Sequence, residues 1–280
     1  MGAWIMAGVT FREAARKKFL WMALLAGAGL IALFSTGLFF QLKDRAATTN
    51  PLLLRQVVNG LLMVGLYAVD ALAVVMTVLT SVDTLSGEIA SGTIHAIATK
   101  PLPRWQILLG KWLGFVCMVS VYLFIMVGGI TLVTYTLSSR YATGVSPHHF
   151  LRGIGLIWLE CVLLLTLTFC FGTRFSTLTN GVLALGFHGL AFIGGWIEQA
   201  GALTSSPRAV NVGIAASMIM PSESLWRRAA YEMQSPVIGA IQFSPFSNAS
   251  VPSPAMIAYA AVYIALALGL AIHRFGRRDL

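Results

Sequence analysis

The chain has 280 residues, of which 57% are hydrophobic and only 10% are charged, and its formal net charge is +9. Soluble domains carry about 25% charged residues, so this composition excludes an ordinary soluble domain and indicates a protein that lies in a bilayer. The basic residues form no clustered face of the kind that binds nucleic acid. They favour control of topology and attraction to anionic membrane lipids instead.

Residues 1–19 have the pattern of an amphipathic helix. Trp4, Gly8 and Phe11 recur at helical spacing, and Arg12 and Glu13 lie on the other side. Such a helix lies flat in the membrane interface, so we expect an interfacial helix that bends into the first span. The alternative is a plain cytoplasmic tail.

Six apolar runs predict an all-α integral membrane protein with six transmembrane helices in a single domain over residues 1–280. The runs are 20–41, 57–81, 107–137, 153–173, 178–197 and 255–273. The first run follows a basic cluster but is too long for the apolar region of a signal peptide, so we interpret it as a permanent span.

The distribution of lysine and arginine predicts the orientation. With both termini in the cytoplasm, the inner segments hold 11 basic residues in roughly 60, and the outer segments hold 8 in roughly 90. This difference favours cytoplasmic termini and a location in the cell's inner membrane.

The segment between spans two and three predicts a cytoplasmic helix over residues 83–100. Asp83 is a candidate N-cap, a less polar and a more polar stripe recur at helical spacing, and Pro101 stops the helix. We interpret it as a helix lying along the membrane and tied to both spans. The alternative is an ordinary solvated loop helix without a partner.

The long segment 198–254 lies outside in this topology and holds six of the ten prolines. Its apolar stretch 209–220 is too short to span, which predicts a re-entrant or interfacial helix. The following "PSESLWRRAAYEMQ" predicts a short helix capped by Ser222 or Ser224, with Glu223 near its positive end.

Three ionisable residues lie inside predicted spans: Asp70, Glu160 and His188. Charges in a bilayer usually face a bundle interior or a cavity, so they are candidates for the translocation path. The alternatives are hydrogen bonds between helices or a protonated carboxyl buried in packing. Their spacing does not indicate a metal site, and the glycines and alanines of span five predict close helix packing.

The segment "GEIASGTIHAIATKPLPRWQILLGKWLG" resembles the signature region of ABC-2 type transporter permeases. In that family an acidic residue precedes a small-Gly-Thr step, a Pro-x-x-Arg turn and Leu-Gly-Lys. The start "TFREAARKKFLWMALLAG" is similar to the family's entry into its first span. The match is closest to bacterial permeases made as separate chains, such as the copper-processing and gliding-type groups.

This resemblance implies a permease that pairs as a homodimer or heterodimer and docks on two ATP-binding subunits, which carry ATP and Mg²⁺. The helix between spans two and three would be the coupling helix that contacts the ATPase. The residues implied at or near that contact are Glu88, Ser91, Gly92, Thr93, His95, Lys100 and Arg104.

The chain contains no P-loop, no G-x-S-x-G and no H-E-x-x-H, so we expect no catalytic residues, no metal and no cofactor of its own. The resemblance favours export but does not identify the cargo. The competing interpretations are an ATP-independent carrier or a membrane scaffold, and an intramembrane enzyme. The last would need a nucleophile–base pair that the sequence does not indicate.

Overall fold

The computed structural model describes residues 2–45, 50–92, 103–138, 145–234 and 250–277. Those residues form α-helices joined by turns, with no strand within the described ranges. The helices are α1 (Gly2–Ala15), α2 (Lys18–Arg45), α3 (Pro51–Ala90), α4 (Arg104–Ser138), α5 (Pro147–Gly172), α6 (Thr177–Leu203), α7 (Pro207–Ile219), α8 (Ser222–Met233) and α9 (Ala255–Gly276).

Six of these helices, α2 to α6 and α9, are long and apolar enough to cross a membrane. This confirms the six predicted spans, although most of the helices extend further than the apolar runs. The 40 residues of α3 correspond to about 60 Å at about 1.5 Å per residue, about twice the thickness of a bilayer's hydrocarbon core. One end of α3 must therefore extend beyond the hydrocarbon.

The centre of the bundle is α5, which packs against α3, α4, α6, α8 and α9. Its sequence is apolar over most of its circumference, and a helix of that kind is buried on all sides. By contrast, α2 and α9 pack on the outside of the bundle and leave most of their apolar surface exposed. That surface is available to lipid or to a second copy of the chain.

The predicted N-terminal helix is present as α1, and it packs along α4. Its buried residues are small, Ala7, Thr10 and Ala14, whereas Trp4 is 75% exposed. The opposing face of α4 carries Gly110, which has no side chain to keep the two helices apart. The buried face of α1 that packs against α4 therefore carries small side chains and no aromatic ones. Trp4 lies on the exposed side, where it can contact the membrane.

The structure corrects the start of the predicted coupling helix. No new helix begins at Asp83, because α3 continues without interruption to Ala90. The chain turns at Gly92, whose φ of 72° lies in the left-handed region that glycine adopts without strain. Residues 93–102 lie outside the described residues.

Segment 198–254, which the topology expected from the sequence puts outside and which we call the outer segment, contains the two short helices that its sequence predicted. The glycines of α6 allow both to approach closely: Gly194 faces Ala216 of α7, and a side chain at Gly195 would meet Glu223 Cγ of α8 at 2.5 Å. The predicted cap of α8 is wrong, because Pro221 occupies the N-cap position and the structure has no side-chain cap hydrogen bond there. Glu223 lies in the first turn, as predicted, and its side chain is buried.

Candidate functional site

The end of α3 is joined to the start of α4 by a buried ion pair. Lys111 Nζ donates a hydrogen bond to Glu88 Oε1, and the two side chains are 2% and 16% exposed. Breaking such a pair by removing one partner leaves an uncompensated charge in a poorly solvated place. The pair therefore fixes the last turns of α3 relative to α4.

A second lysine enters the same region from the turn between α1 and α2. Lys17 Nζ donates to the carbonyl of Thr80 at 3.0 Å and to Thr84 Oγ1 at 3.5 Å, and it lies 5.6 Å from the centre of the Phe115 ring. Burial lowers the pKa of Lys17, and the nearby negative charge of Asp83 opposes that shift. Lys17 thus links the N-terminal turn to α3.

The start of α6 holds α3 from the other side. Thr177 Oγ1 donates to Asp83 Oδ1 at 3.3 Å and lies 3.0 Å from Ser86 Oγ. Asn180 Nδ2 donates to the carbonyls of Val82 at 3.2 Å and Thr168 at 2.9 Å. Side chains from several separate elements therefore converge on residues 80–88, and we call residues 80–88 with Lys17, Lys111 and Thr177 the α3-end network.

Four of the seven predicted contact residues lie in the described part of the chain. Glu88 is in the α3-end network, Ser91 is exposed immediately after α3, and Gly92 forms the turn. Arg104 begins α4, and its guanidinium donates to the carbonyl of Gly276 at 3.2 Å.

Thr93, His95 and Lys100 lie outside the described residues. The structure places Glu88, Ser91 and Gly92 within one stretch, and it places Arg104 beside the end of α9. The sequence placed Lys17 on the polar side of the N-terminal helix and Lys111 in the Leu-Gly-Lys motif at the start of span three, and it counted both as topology signals, but it did not indicate their partners. Their side-chain partners come from helices far away in the sequence, so no local pattern could have revealed them.

Of the three predicted intramembrane residues, Asp70 and Glu160 are buried inside the helix bundle, and His188 lies beside Glu160 and is partly buried. Glu160 on α5 is fully buried, and His188 Nδ1 lies 3.8 Å from Glu160 Oε1 and 3.1 Å from Ser222 Oγ. Asp70 on α3 is buried as well and lies within electrostatic range of Glu160. Neither oxygen of Glu160 has a hydrogen-bond partner among the described residues.

Glu223 of α8 completes this group. The sequence placed it correctly near the positive end of the helix, but no local pattern indicated that it is buried beside other carboxyl groups. Burial raises the pKa of Glu223 to about 8; the positive charge of Arg227 opposes the shift, and the negative charge of Asp70 adds to it. We call Asp70, Glu160, His188 and Glu223 the interior cluster. Its three carboxyl groups come from three helices.

Ion pairs also connect the outer segment to the spans. Arg227 Nη2 lies 2.7 Å from Glu198 Oε2. Glu232 accepts from Arg228 at 2.8 Å and lies 2.6 Å from His149 Nδ1. Burial alone would raise the pKa of Glu232, but hydrogen bonds from His149 and Arg228 outweigh it and lower the pKa. Helix α8 is therefore fixed to both α5 and α6.

No group of three or more histidine, cysteine, aspartate or glutamate side chains is arranged to hold a metal ion in the described ranges.

Six candidate spans, one of which is the buried central helix α5, define a multi-pass membrane protein. A family described as ABC-2 family transporter protein matches residues 4–280, so the chain belongs to the ABC-2 transporter family. A search for similar curated proteins finds no match. Membership of this family confirms the resemblance seen in the sequence.

Proposed function

We propose that the chain is the permease subunit of an ATP-binding cassette exporter. It would move its cargo by alternating access, driven by ATP hydrolysis on a separate nucleotide-binding subunit. Family membership supports the transport role. The chain's "LLGKWLG" has the Gly-Lys of a phosphate-binding loop but lacks the upstream glycine and the following serine or threonine, so ATP and Mg²⁺ are expected on the partner.

The α3-end network is the observation that best supports this proposal. It lies immediately before residues 93–102, where the family resemblance implies the ATPase contact. A displacement applied there would pass into α3 and α4 through the Lys111–Glu88 pair, and into α6 through Thr177 and Asp83. Packed elements with fixed polar links can carry such a displacement without absorbing it in local rearrangement.

The proposed assembly has two permease copies and two ATPase subunits. A homodimer with two-fold symmetry is the simplest arrangement, and the exposed apolar surfaces of α2 and α9 leave room for a second copy. The ATPase contact is proposed to comprise Glu88, Ser91, Gly92, Thr93, His95, Lys100 and Arg104.

Asp70, Glu160 and His188 remain our proposed part of the translocation path. Because Asp70 and Glu160 are buried within the protomer, cargo would reach them only after α3, α5 and α6 separate. We further propose the inner membrane as the location, with both termini in the cytoplasm and residues 198–254 outside, as the distribution of basic residues favours.

Co-purification tests the proposal directly. The tagged chain is extracted from native membranes in mild detergent, its partners are identified by mass spectrometry, and ATP hydrolysis by the complex is measured. We expect an ATP-binding subunit at equal stoichiometry. A bulky side chain at the exposed Ser91, in a Ser91→Trp variant, should weaken its association about tenfold or more.

The matched control is Arg208→Trp, an equally exposed position at the start of α7. It should retain the ATPase subunit and its activity. Recovery of the intact chain without an ATPase, or equal loss from both variants, would refute the permease assignment and favour an ATP-independent carrier or scaffold.

A further inference from the structure

An open cleft of about 480 Å³ lies between the α5–α6 turn and the end of α9. Its lining residues are Thr173, Arg174, His273, Arg274 and Arg277. Three guanidinium groups and an imidazole thus surround one volume. The excess of lysine and arginine in cytoplasmic segments does not require the basic residues to lie close together. The grouping of these side chains around one cleft therefore needs a further explanation.

Within the described ranges, no acidic side chain faces the positive charge of the cleft. Among the residues that the structure describes, no carboxylate lines the cleft, and Arg174, Arg274 and Arg277 form no ion pair with a described carboxylate. Elsewhere in the molecule, Arg227 and Arg228 do pair with glutamates. The cleft therefore presents its cations to an external anion.

Both walls of the cleft are fixed before any ligand arrives. Thr173 Oγ1 donates to the carbonyl of Cys170 at 2.7 Å, and the turn closes through the Arg174 N–H and the carbonyl of Phe171 at 2.9 Å. On the opposite wall, Phe275 is buried, and Arg104 donates to the carbonyl of Gly276. The backbone positions that carry the arginines are therefore fixed, and binding an anion has to order only their side chains.

The position of the cleft indicates what kind of anion fits. Two candidate spans, α5 and α9, end at Gly172 and Gly276, so the cleft lies at the boundary of the membrane, where lipid headgroups are. On α9, Val262, Leu266 and Leu270 are exposed and lead along the span away from the cleft. A ligand with a phosphate at one end and acyl chains at the other matches both features, whereas free phosphate matches only the first.

We propose that this cleft binds the phosphate of an anionic phospholipid headgroup, whose acyl chains lie along α9. Arginine recognises phosphate through paired, charge-assisted hydrogen bonds, which favours it over a neutral polar ligand. A headgroup with net negative charge is selected over phosphatidylcholine because none of the described lining residues carries a carboxylate that could pair with choline's cation. The site would fix α9 and the α5–α6 turn to the surrounding leaflet.

The experiment uses the full-length chain, purified and delipidated in a neutral detergent, with thermal unfolding as the readout. The probes are phosphatidylglycerol, phosphatidylcholine with the same acyl chains, and inorganic phosphate. We expect phosphatidylglycerol to raise the melting temperature saturably, phosphatidylcholine to do so far less, and inorganic phosphate not at all.

The variant Arg174→Gln/Arg277→Gln removes two of the three guanidinium groups. It should bind phosphatidylglycerol about 30-fold more weakly, because each basic group near an anionic membrane surface raises the affinity about fivefold. The control Arg152→Gln/Arg208→Gln removes the same charge from two exposed positions, one near the start of α5 and one at the start of α7. It should bind phosphatidylglycerol like the wild type.

Equal stabilisation of the wild type by phosphatidylcholine, or equal loss of binding in both double variants, would overturn the proposal. Stabilisation by inorganic phosphate as strong as that by the lipid would assign the cleft to a soluble phosphate ligand and overturn it too. The comparison of lipids on the wild type keeps the test valid even where the cleft variant is less stable.

Discussion

At the scale of single residues, the Lys111–Glu88 pair joins the α3-end network to α4. The lysine is almost completely enclosed, so its charge depends on this carboxylate in place of water. Removing one member of such a pair is far more costly than removing a pair on the surface, because the remaining charge cannot be solvated.

We therefore predict that Lys111→Met lowers the free energy of unfolding by about 3 kcal/mol or more. The double variant Lys111→Met/Glu88→Gln should recover part of this loss, since it leaves no uncompensated charge. Thermal unfolding of the purified chain measures the stability of the two single variants and of the double variant. Additive effects of the two single changes would show that the groups do not interact.

Glu223 makes stability depend on pH. Its raised pKa, about 8 in the folded chain, means that the folded state holds a proton that the unfolded state releases above the ordinary carboxyl pKa. The folded state therefore loses stability as the pH rises, until Glu223 ionises in both states above about pH 8.

We predict that Glu223→Gln flattens this decline between about pH 4.5 and about pH 8 and melts at a higher temperature than the wild type at the upper end of that range. Melting curves over that pH range provide the measurement. The exposed Glu13→Gln should keep the wild-type profile. A profile for Glu223→Gln that coincides with the wild type would contradict a buried, protonated Glu223.

At the scale of elements, the contact between α1 and α4 depends on two glycines one turn apart. A methyl group at Gly110 would meet the carbonyl oxygen of Ala3 at 2.6 Å, and one at Gly114 would meet that of Ala7 at 2.7 Å. These neighbours are backbone atoms, which cannot move aside as a flexible side chain can. The sequence "GKWLG" carries the small-xxx-small spacing that allows helices to approach closely.

We predict that Gly114→Ala destabilises the chain by about 1–3 kcal/mol because α1 must shift away from α4. The control is Gly128→Ala on the same helix, where nothing lies within 4 Å of the added methyl. It should be neutral or slightly stabilising, because alanine favours a helix over glycine. Equal effects of the two substitutions on thermal unfolding would rule out the close contact.

Much of the helical architecture was predictable from local patterns. Apolar runs located all six spans, and the proline-rich outer segment yielded the two short helices α7 and α8. The boundary at Asp83 was not predictable, because an aspartate that could cap a helix also fits inside one. Here it is held within α3 by the hydroxyl of Thr177, which is distant in the sequence.

At the scale of the whole molecule, the orientation in the membrane is open to a direct test. We predict that Arg16→Cys and Arg208→Cys, both exposed, lie on opposite sides of the membrane in a chain whose native cysteines are replaced by serine. In intact cells, a membrane-impermeant maleimide should label the cysteine at position 208 only. Inside-out vesicles should give the reverse. Labelling of both positions from one side would contradict the proposed topology.

The sequence by itself determined that this chain spans a membrane six times, that Asp70, Glu160 and His188 lie within those spans, and to which family it is similar. These properties follow from run length, composition and short motifs, which need no knowledge of neighbouring helices. Only the tertiary structure decided that Lys111 pairs with Glu88, that Glu223 joins Asp70 and Glu160, and that arginines from α9 and the α5–α6 turn surround one cleft. The physical reason is that uniformly apolar spans do not specify which polar groups will meet; the packing of the helices around α5 does.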